Sequence, residues 1–143
     1  MKFILGMRSI VILIIIGLLV FSFQGRFGRN ILGGQDLVID HRAVSVLRGA
    51  ITHVRDGDTF EVNGTPVRIS ALDCAENSTA EGKKITRFAK QFKGKETICE
   101  LTGAKTYDRV VGYCSINGID FGKMMMDETS CKLWAKYDIW NKY

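Results

Sequence analysis

The 143-residue chain carries 20 lysines and arginines against 15 aspartates and glutamates, a formal net charge of +5, and 46% of its residues are hydrophobic. This length leaves room for only one small domain. The four cysteines lack C-x-x-C spacing and are accompanied by only two histidines, which argues against a zinc site.

The N-terminus predicts a membrane-targeting segment over residues 1–24. Lys2 and Arg8 precede an apolar run over residues 10–23, which only Gly17 and Ser22 interrupt. The run is shorter than a membrane span of roughly 20 residues and resembles the core of a signal peptide, yet no A-x-A-like cleavage site follows it. We expect an uncleaved signal anchor, with the domain outside the cytoplasm (periplasmic or extracellular). A cleaved signal, and therefore secretion, is the second interpretation.

The glycine-bearing residues 25–43 are expected to form a linker, and residues 44–143 the domain. Residues 1–48 hold six Lys/Arg against two Asp/Glu, whereas 14 Lys/Arg face 13 Asp/Glu from residue 49 onward. Most of the basicity therefore precedes the domain. Positive charge within the domain is local, unlike the global basicity typical of many nucleic-acid-binding proteins.

Strand patterns open the domain. Apolar residues over 44–54 predict a strand, with a change of register around Gly49. Residues 59–62 and 65–69 are two further strands, and the Asn63-Gly64 pair between them is the strongest short-range signal for a hairpin.

A helix is predicted next. Ser78 and Glu81 have the spacing of a capping box, with Ser78 as N-cap, and Gly94 is a suitable stop. Apolar residues recur at i, i+3, i+4 and i+7 on one face: Ile85, Phe88, Ala89 and Phe92. The opposite face is basic: Lys83, Lys84, Arg87 and Lys90. A solvated outer face is the ordinary interpretation of those cations, and nucleic-acid contact is the alternative.

Two more strands, over residues 97–101 and 110–116, precede a short helix capped by Asp120. The pattern predicts an α+β domain, mainly β, built as a five-stranded OB-type barrel with packed helices. Cys99 and Cys114 fall in successive strands and could pair across the sheet. Other disulfide connectivities, or reduced thiols in the core, remain open.

Three short motifs concentrate charged residues at the ends of apolar segments. Carboxylates suit a hard cation such as calcium, and arginine forks match phosphate oxygens, so together they indicate a metal-assisted phosphodiester site. Asp-Gly turns and solvated strand ends are the ordinary alternative. The motifs are Asp56-Gly57-Asp58-Thr59, then Arg68 with Asp73-Cys74-Ala75-Glu76, and Tyr107-Asp108-Arg109.

These motifs, in this order and spacing, resemble those of the staphylococcal-nuclease-like (thermonuclease) family over residues 44 to about 137. The resemblance implies calcium bound by Asp58, Asp73 and the backbone carbonyl of Cys74. It assigns to Glu76 the activation or orientation of the attacking water.

The same resemblance implies that Arg68 and Arg109 clamp the phosphate and stabilise charge in the transition state. Asp56 is assigned to the shape of the turn or to a position behind the ligands, and Tyr107 to a supporting role.

Three departures from the family pattern bear on activity. Ala75 replaces a proline, which leaves the loop of Glu76 less rigid. Asp108 replaces a glycine, and a positive φ there would strain the backbone. The chain is short at its C-terminus compared with the family, and Trp134 and Trp140 are candidates to cover the barrel face that a further helix covers there.

The sequence therefore predicts a monomeric, calcium-dependent nuclease (phosphodiester hydrolase) that cleaves DNA or RNA with low sequence specificity and is tethered to the membrane. A catalytically inactive OB-type module that binds nucleic acid or protein is the alternative, and the three departures favour it. A weaker third hypothesis gives the main role to the apolar N-terminus.

Overall fold

The computed structural model describes residues 40–143; the expected signal segment and nearly all of the linker lie outside this range. No helix in the described range combines the length and the hydropathy needed to cross a membrane. The elements follow in the order β1 (Ser45–Val54), β2 (Thr59–Val62), β3 (Thr65–Ile69), β4 (Leu72–Asp73), α1 (Ala80–Ala89), β5 (Glu96–Thr106), β6 (Arg109–Ile116), β7 (Ile119–Asp120), α2 (Phe121–Glu128) and β8 (Lys132–Leu133).

Five strands form a closed barrel. Their order is β3-β2-β1-β5-β6, and β3 pairs with β6 in parallel to close the sheet, while β7 extends the β6 edge. The remaining two short strands, β4 and β8, pair with each other. The predicted α+β class, mainly β with an OB-type barrel and packed helices, is confirmed for the described residues.

The Asn63-Gly64 hairpin forms as predicted, and both residues have positive φ. The change of register in β1 was misplaced. Gly49 keeps its pairing with β5, and the irregularity against β2 lies between Ile51 and His53. There the Thr52 side chain supplies hydrogen bonds between the two strands. Its hydroxyl donates to the Glu61 carbonyl and accepts from the Gly64 amide.

The predicted cap of α1 was wrong by one residue. Thr79, not Ser78, is the N-cap, and its hydroxyl accepts a hydrogen bond from the Gly82 amide at 2.9 Å. Glu81 consequently does not close a capping box, and its carboxylate accepts from Ser130 instead. The cap of α2 is Asp120 as predicted, with its side chain accepting from the Lys123 amide.

One apolar core fills the barrel and the gap under both helices. Phe121 from α2 meets Phe60 edge-on at 5.1 Å and Phe92 at 5.7 Å between ring centroids. Cys99 and Cys114 form a disulfide between β5 and β6, which confirms that predicted pair over reduced thiols.

A second, smaller cluster packs the C-terminal segment onto the barrel. Trp140 is 6% exposed and stacks on Tyr113 at 4.7 Å, and Tyr143 lies against the same ring. The Tyr113 hydroxyl donates to Asp138, whose carboxylate also accepts the amide of Tyr143. Trp140 thus covers a face of the barrel, whereas Trp134 remains 44% exposed.

Replacing Trp140 with alanine is expected to lower the free energy of unfolding by about 3–5 kcal/mol, because a buried stacked ring leaves a cavity. The matched change Trp134→Ala removes a half-exposed ring and should cost about 1 kcal/mol or less. Urea unfolding followed by far-ultraviolet circular dichroism measures both. Equal losses in the two variants would contradict this account of the C-terminal cluster.

Candidate functional site

The three charged motifs converge on one cleft of about 550 Å³. All residues assigned to metal, water and phosphate line it: Asp58, Arg68, Asp73, Cys74, Glu76 and Arg109. Asp56 and Tyr107 line it as well. The cleft lies where β3 meets β6, because the register that pairs Arg68 with Val111 puts Arg68 and Arg109 on the same side of the sheet.

Asp58 is the buried carboxylate of the cleft, with 8% of the residue exposed. Its Oδ1 lies 3.1 Å from Nη1 of Arg68 and accepts the Thr59 hydroxyl at 3.0 Å. Its Oδ2 accepts the backbone amide of Cys74 at 3.3 Å. The first and second motifs are therefore joined through this one side chain.

Burial raises the pKa of the Asp58 carboxyl to about 7, although the Arg68 guanidinium opposes the shift. The nearby Asp56 carboxylate adds to the rise through repulsion. Asp56 itself accepts a hydrogen bond from the Asp58 amide at 3.1 Å, the contact of an aspartate that shapes a turn. One arginine thus compensates incompletely for the burial of the Asp58 charge, which leaves this carboxylate suited to a further cation.

Arg68 and Arg109 differ in how they are held. Arg68 uses Nη1 for Asp58 and for the Ile69 carbonyl at 3.1 Å, and its other nitrogens donate to no group in residues 40–143. Arg109 donates from Nη1 to the Thr59 hydroxyl at 3.1 Å and from Nε to the Thr106 carbonyl at 3.4 Å. Each guanidinium is oriented by its neighbours and keeps donors for an anion in the cleft.

Thr59 was overlooked in the assignment of roles. Its hydroxyl donates to Asp58 and accepts from Arg109, so it connects the first motif to the third. The residue is 1% exposed, and only its position as the last member of Asp-Gly-Asp-Thr could have drawn attention to it.

A disulfide holds the loop of Asp73, Cys74 and Glu76. Cys74 is bonded to Cys131, and the β4–β8 pairing sets Asp73 opposite Lys132. The sequence left this pairing open among three connectivities. The bridge restrains the loop at the residue next to Ala75.

The expected strain at Asp108 is absent. The positive φ of this turn belongs to Tyr107, at +55°, and Asp108 lies outside that region. The Asp108 carboxylate accepts from Nη1 of Arg55 at 2.7 Å, and this guanidinium holds the pKa of Asp108 below its ordinary value. Arg55 also contacts Glu61, so the aspartate ties the β5–β6 hairpin to the turn before β2.

Aromatic side chains form the rim of the cleft. Trp134 and Tyr137 meet edge-on at 4.5 Å and both are half exposed, and Ile139 lies beside them. Tyr107 also lines the cleft and is 95% exposed, with Arg109 5.8 Å from its ring centroid. Flat apolar faces thus stand beside the arginines.

Within residues 40–143 no three His, Cys, Asp or Glu side chains are grouped closely enough to hold a metal ion. The predicted set nevertheless has the chemistry that calcium prefers, since Asp58, Asp73 and the Cys74 carbonyl offer oxygen alone. Calcium takes six to eight oxygen ligands, so a cation held there would need further oxygens from water or from a bound phosphate. The incompletely compensated charge of Asp58 fits such a cation.

No protein-family model matches the chain, and no curated protein matches it. Its function is therefore inferred from the motifs and from the geometry of the cleft.

Stability of the metal-free protein should fall as the pH rises from about 4 to about 7. The folded state keeps a proton on Asp58 up to a pKa of about 7, whereas the unfolded chain loses it near the ordinary value of 3.8, so each rise in pH favours unfolding. The change reaches about 4 kcal/mol at most. Chemical unfolding across this pH range, in chelator, measures it. Asp58→Asn should remove this component, and an unchanged pH dependence in that variant would contradict the assignment.

Opening the Cys74–Cys131 disulfide should loosen the loop of Asp73, Cys74 and Glu76. In Cys74→Ala/Cys131→Ala, hydrogen exchange of residues 72–79 is expected to accelerate, with a loss of roughly 2–4 kcal/mol in stability. Cys99→Ala/Cys114→Ala is the control, because it removes the other disulfide from the barrel core. Exchange by mass spectrometry compares the two, and equal acceleration in this segment would show that the bridge has no local effect.

Proposed function

We propose that the protein is a calcium-dependent phosphodiesterase that hydrolyses DNA or RNA with low sequence specificity. The observation that supports this most is the meeting of two oriented arginines and a buried carboxylate in one cleft. Neither ordinary turn formation nor solvation requires Asp58 to be buried beside Arg68, with Arg109 held through Thr59.

The two arginines bind the scissile phosphate in this proposal. Arg68 reaches the cleft from β3 and Arg109 from β6, so a phosphate between them receives donors from two directions. Charge grows on the phosphoryl oxygens in the transition state, and donors that are already oriented stabilise it without reorganisation. The hydrogen bonds from Arg109 to Thr59 and Thr106 supply that orientation.

Calcium, when bound by Asp58, Asp73 and the Cys74 carbonyl, would polarise the phosphate and acidify a coordinated water. Glu76 then accepts the proton of the attacking water. Its side chain is exposed at the cleft and is therefore accessible to water. Its backbone is held by Thr79, whose amide and hydroxyl both donate to the Glu76 carbonyl at 2.9 Å.

The rim of the cleft favours low sequence specificity. Trp134, Tyr137 and Tyr107 offer ring faces, and stacking accepts every base. Arginine is the main cation in the cleft, and it is directed to the phosphate rather than to base edges.

Two disulfides support a location outside the cytoplasm, since such bonds persist in oxidising compartments. The proposed signal anchor would tether the domain to the membrane there, and a cleaved signal would release it.

An inactive module that binds nucleic acid or protein is the second candidate. The contact between Arg68 and Asp58 favours it, because that pair partly satisfies the two groups without calcium or phosphate. The absence of a three-side-chain metal cluster within residues 40–143 points the same way.

Cleavage of single-stranded DNA and RNA by the full-length chain, with calcium or with a chelator, tests the proposal. Glu76→Gln should lower the rate about 10²–10⁴-fold, because the water loses its base, while affinity for the strand stays nearly constant. Glu96→Gln is the matched control, an exposed glutamate outside the cleft.

Cleavage that survives in chelator or in Glu76→Gln would disprove the mechanism. A folded protein that binds DNA without cutting it would support the inactive module.

A further inference from the structure

A strongly basic surface lies outside the cleft, on α1 and the turn that follows it. We call it the basic face. Residues 80–96 hold six Lys/Arg against two Asp/Glu, whereas the rest of residues 40–143 holds ten against twelve. The six cations are Lys83, Lys84, Arg87, Lys90, Lys93 and Lys95, and all are exposed.

The basic face is almost free of internal ion pairs. Of its six cations, only Lys84 has a carboxylate of residues 40–143 within 4.0 Å, that of Glu81 at 3.6 Å. Arginines elsewhere in the domain are mostly neutralised, as Arg42 is by Asp40 and Arg55 by Asp108. Like charges gathered without partners repel one another, so this surface is arranged for an external anion.

The helix concentrates these charges in one direction. Lys83, Lys84, Arg87 and Lys90 lie within an arc of roughly 120° around α1, since successive residues are about 100° apart. The stretch from Lys83 to Lys90 rises about 10 Å, which spans about three phosphates of a stacked strand.

The helix that carries the basic face, α1, begins beside the loop of Asp73, Cys74 and Glu76 and packs closely on it. Gly82 packs so closely on Glu76 that a side chain there would collide with the Glu76 carbonyl. One turn later Ile85 packs on Gly57, in the loop between Asp56 and Asp58. These two contacts lie on the buried side of α1 and fix the helix next to the cleft, while the cations project from its exposed side.

The apolar residues of α1 argue against a lipid surface as the occupant. A helix that lies in a membrane interface exposes large apolar side chains between its cations. In α1 Ile85 and Ala89 are buried, and Phe88 packs against the core. What remains outside is charge without a hydrophobic stripe, which suits a polyanion.

We infer that the basic face is a second binding surface for the sugar–phosphate backbone of a polynucleotide, on the helix that packs next to the cleft. The inference rests on the proposed function for the identity of the substrate. Its cations contact phosphates whatever the base sequence. The surface therefore adds affinity for strands long enough to reach it and leaves the binding of short substrates unchanged.

The test compares two variants with the same loss of charge, made in full-length Glu76→Gln and measured in chelator so that cleavage does not interfere. Arg87→Gln/Lys90→Gln alters the basic face, and Arg48→Gln/Lys123→Gln alters exposed cations outside it. Fluorescence anisotropy of a labelled DNA single strand, titrated over a range of salt, reports affinity. Thermal unfolding verifies that the variants remain folded.

The basic-face variant should bind roughly 25-fold more weakly at about 0.1 M salt, with a salt slope shallower by about 1.4, since each contact contributes about 0.7. The control should match its parent. Equal affinities in the two variants would overturn the inference. It would also be overturned if Arg87→Gln/Lys90→Gln weakened binding to phosphatidylserine vesicles, measured in parallel, and not binding to the DNA strand.

A second readout separates this inference from the proposed function. In chains that retain Glu76, Arg87→Gln/Lys90→Gln should slow cleavage of long strands and not of a dinucleotide; equal slowing would overturn the inference. If no chain cleaves while the binding difference persists, the nuclease mechanism fails and the basic face stands.

Discussion

The parallel pairing of β3 with β6 is the constraint on which the rest of the structure depends. It closes the barrel, and the same register sets Arg68 beside Val111 and therefore on the side of Arg109. The Ser70 amide continues the closure by donating to the Gly112 carbonyl at 2.8 Å. A closed barrel has no free edge at this point, so two cationic side chains from distant parts of the chain are held at a fixed separation.

Closure also explains why the cleft accepts a buried carboxylate. Asp58 follows the turn before β2 and is covered by the Cys74 loop, whose amide it accepts. That loop is secured by the Cys74–Cys131 disulfide and by the β4–β8 pair. The loop is thus restrained by a covalent bond and a strand pairing, although Ala75 leaves it without a proline.

Local patterns were enough for the elements that local physics controls. The Asn63-Gly64 hairpin, the Asp120 cap and the apolar face of α1 each follow from turn chemistry or periodicity. The pattern was wrong at other positions. Thr79 caps α1 with a hydroxyl that also donates to the Glu76 carbonyl, a local contact that the capping-box spacing did not indicate. Tyr107, not Asp108, takes the positive φ, while Asp108 is held by Arg55 from the turn before β2.

The sequence by itself determined which residues carry charge at strand ends and the barrel class, since both depend on spacing along the chain. It offered Cys99–Cys114 as one possible pair, which the structure selects. Only the tertiary structure decided that those charges share one cleft, that Thr59 links Asp58 to Arg109, and that Cys74 bonds Cys131. It also decided that Trp140 is buried while Trp134 is not. These outcomes depend on contacts between residues far apart in the chain, which the closure of the barrel creates and no local pattern encodes.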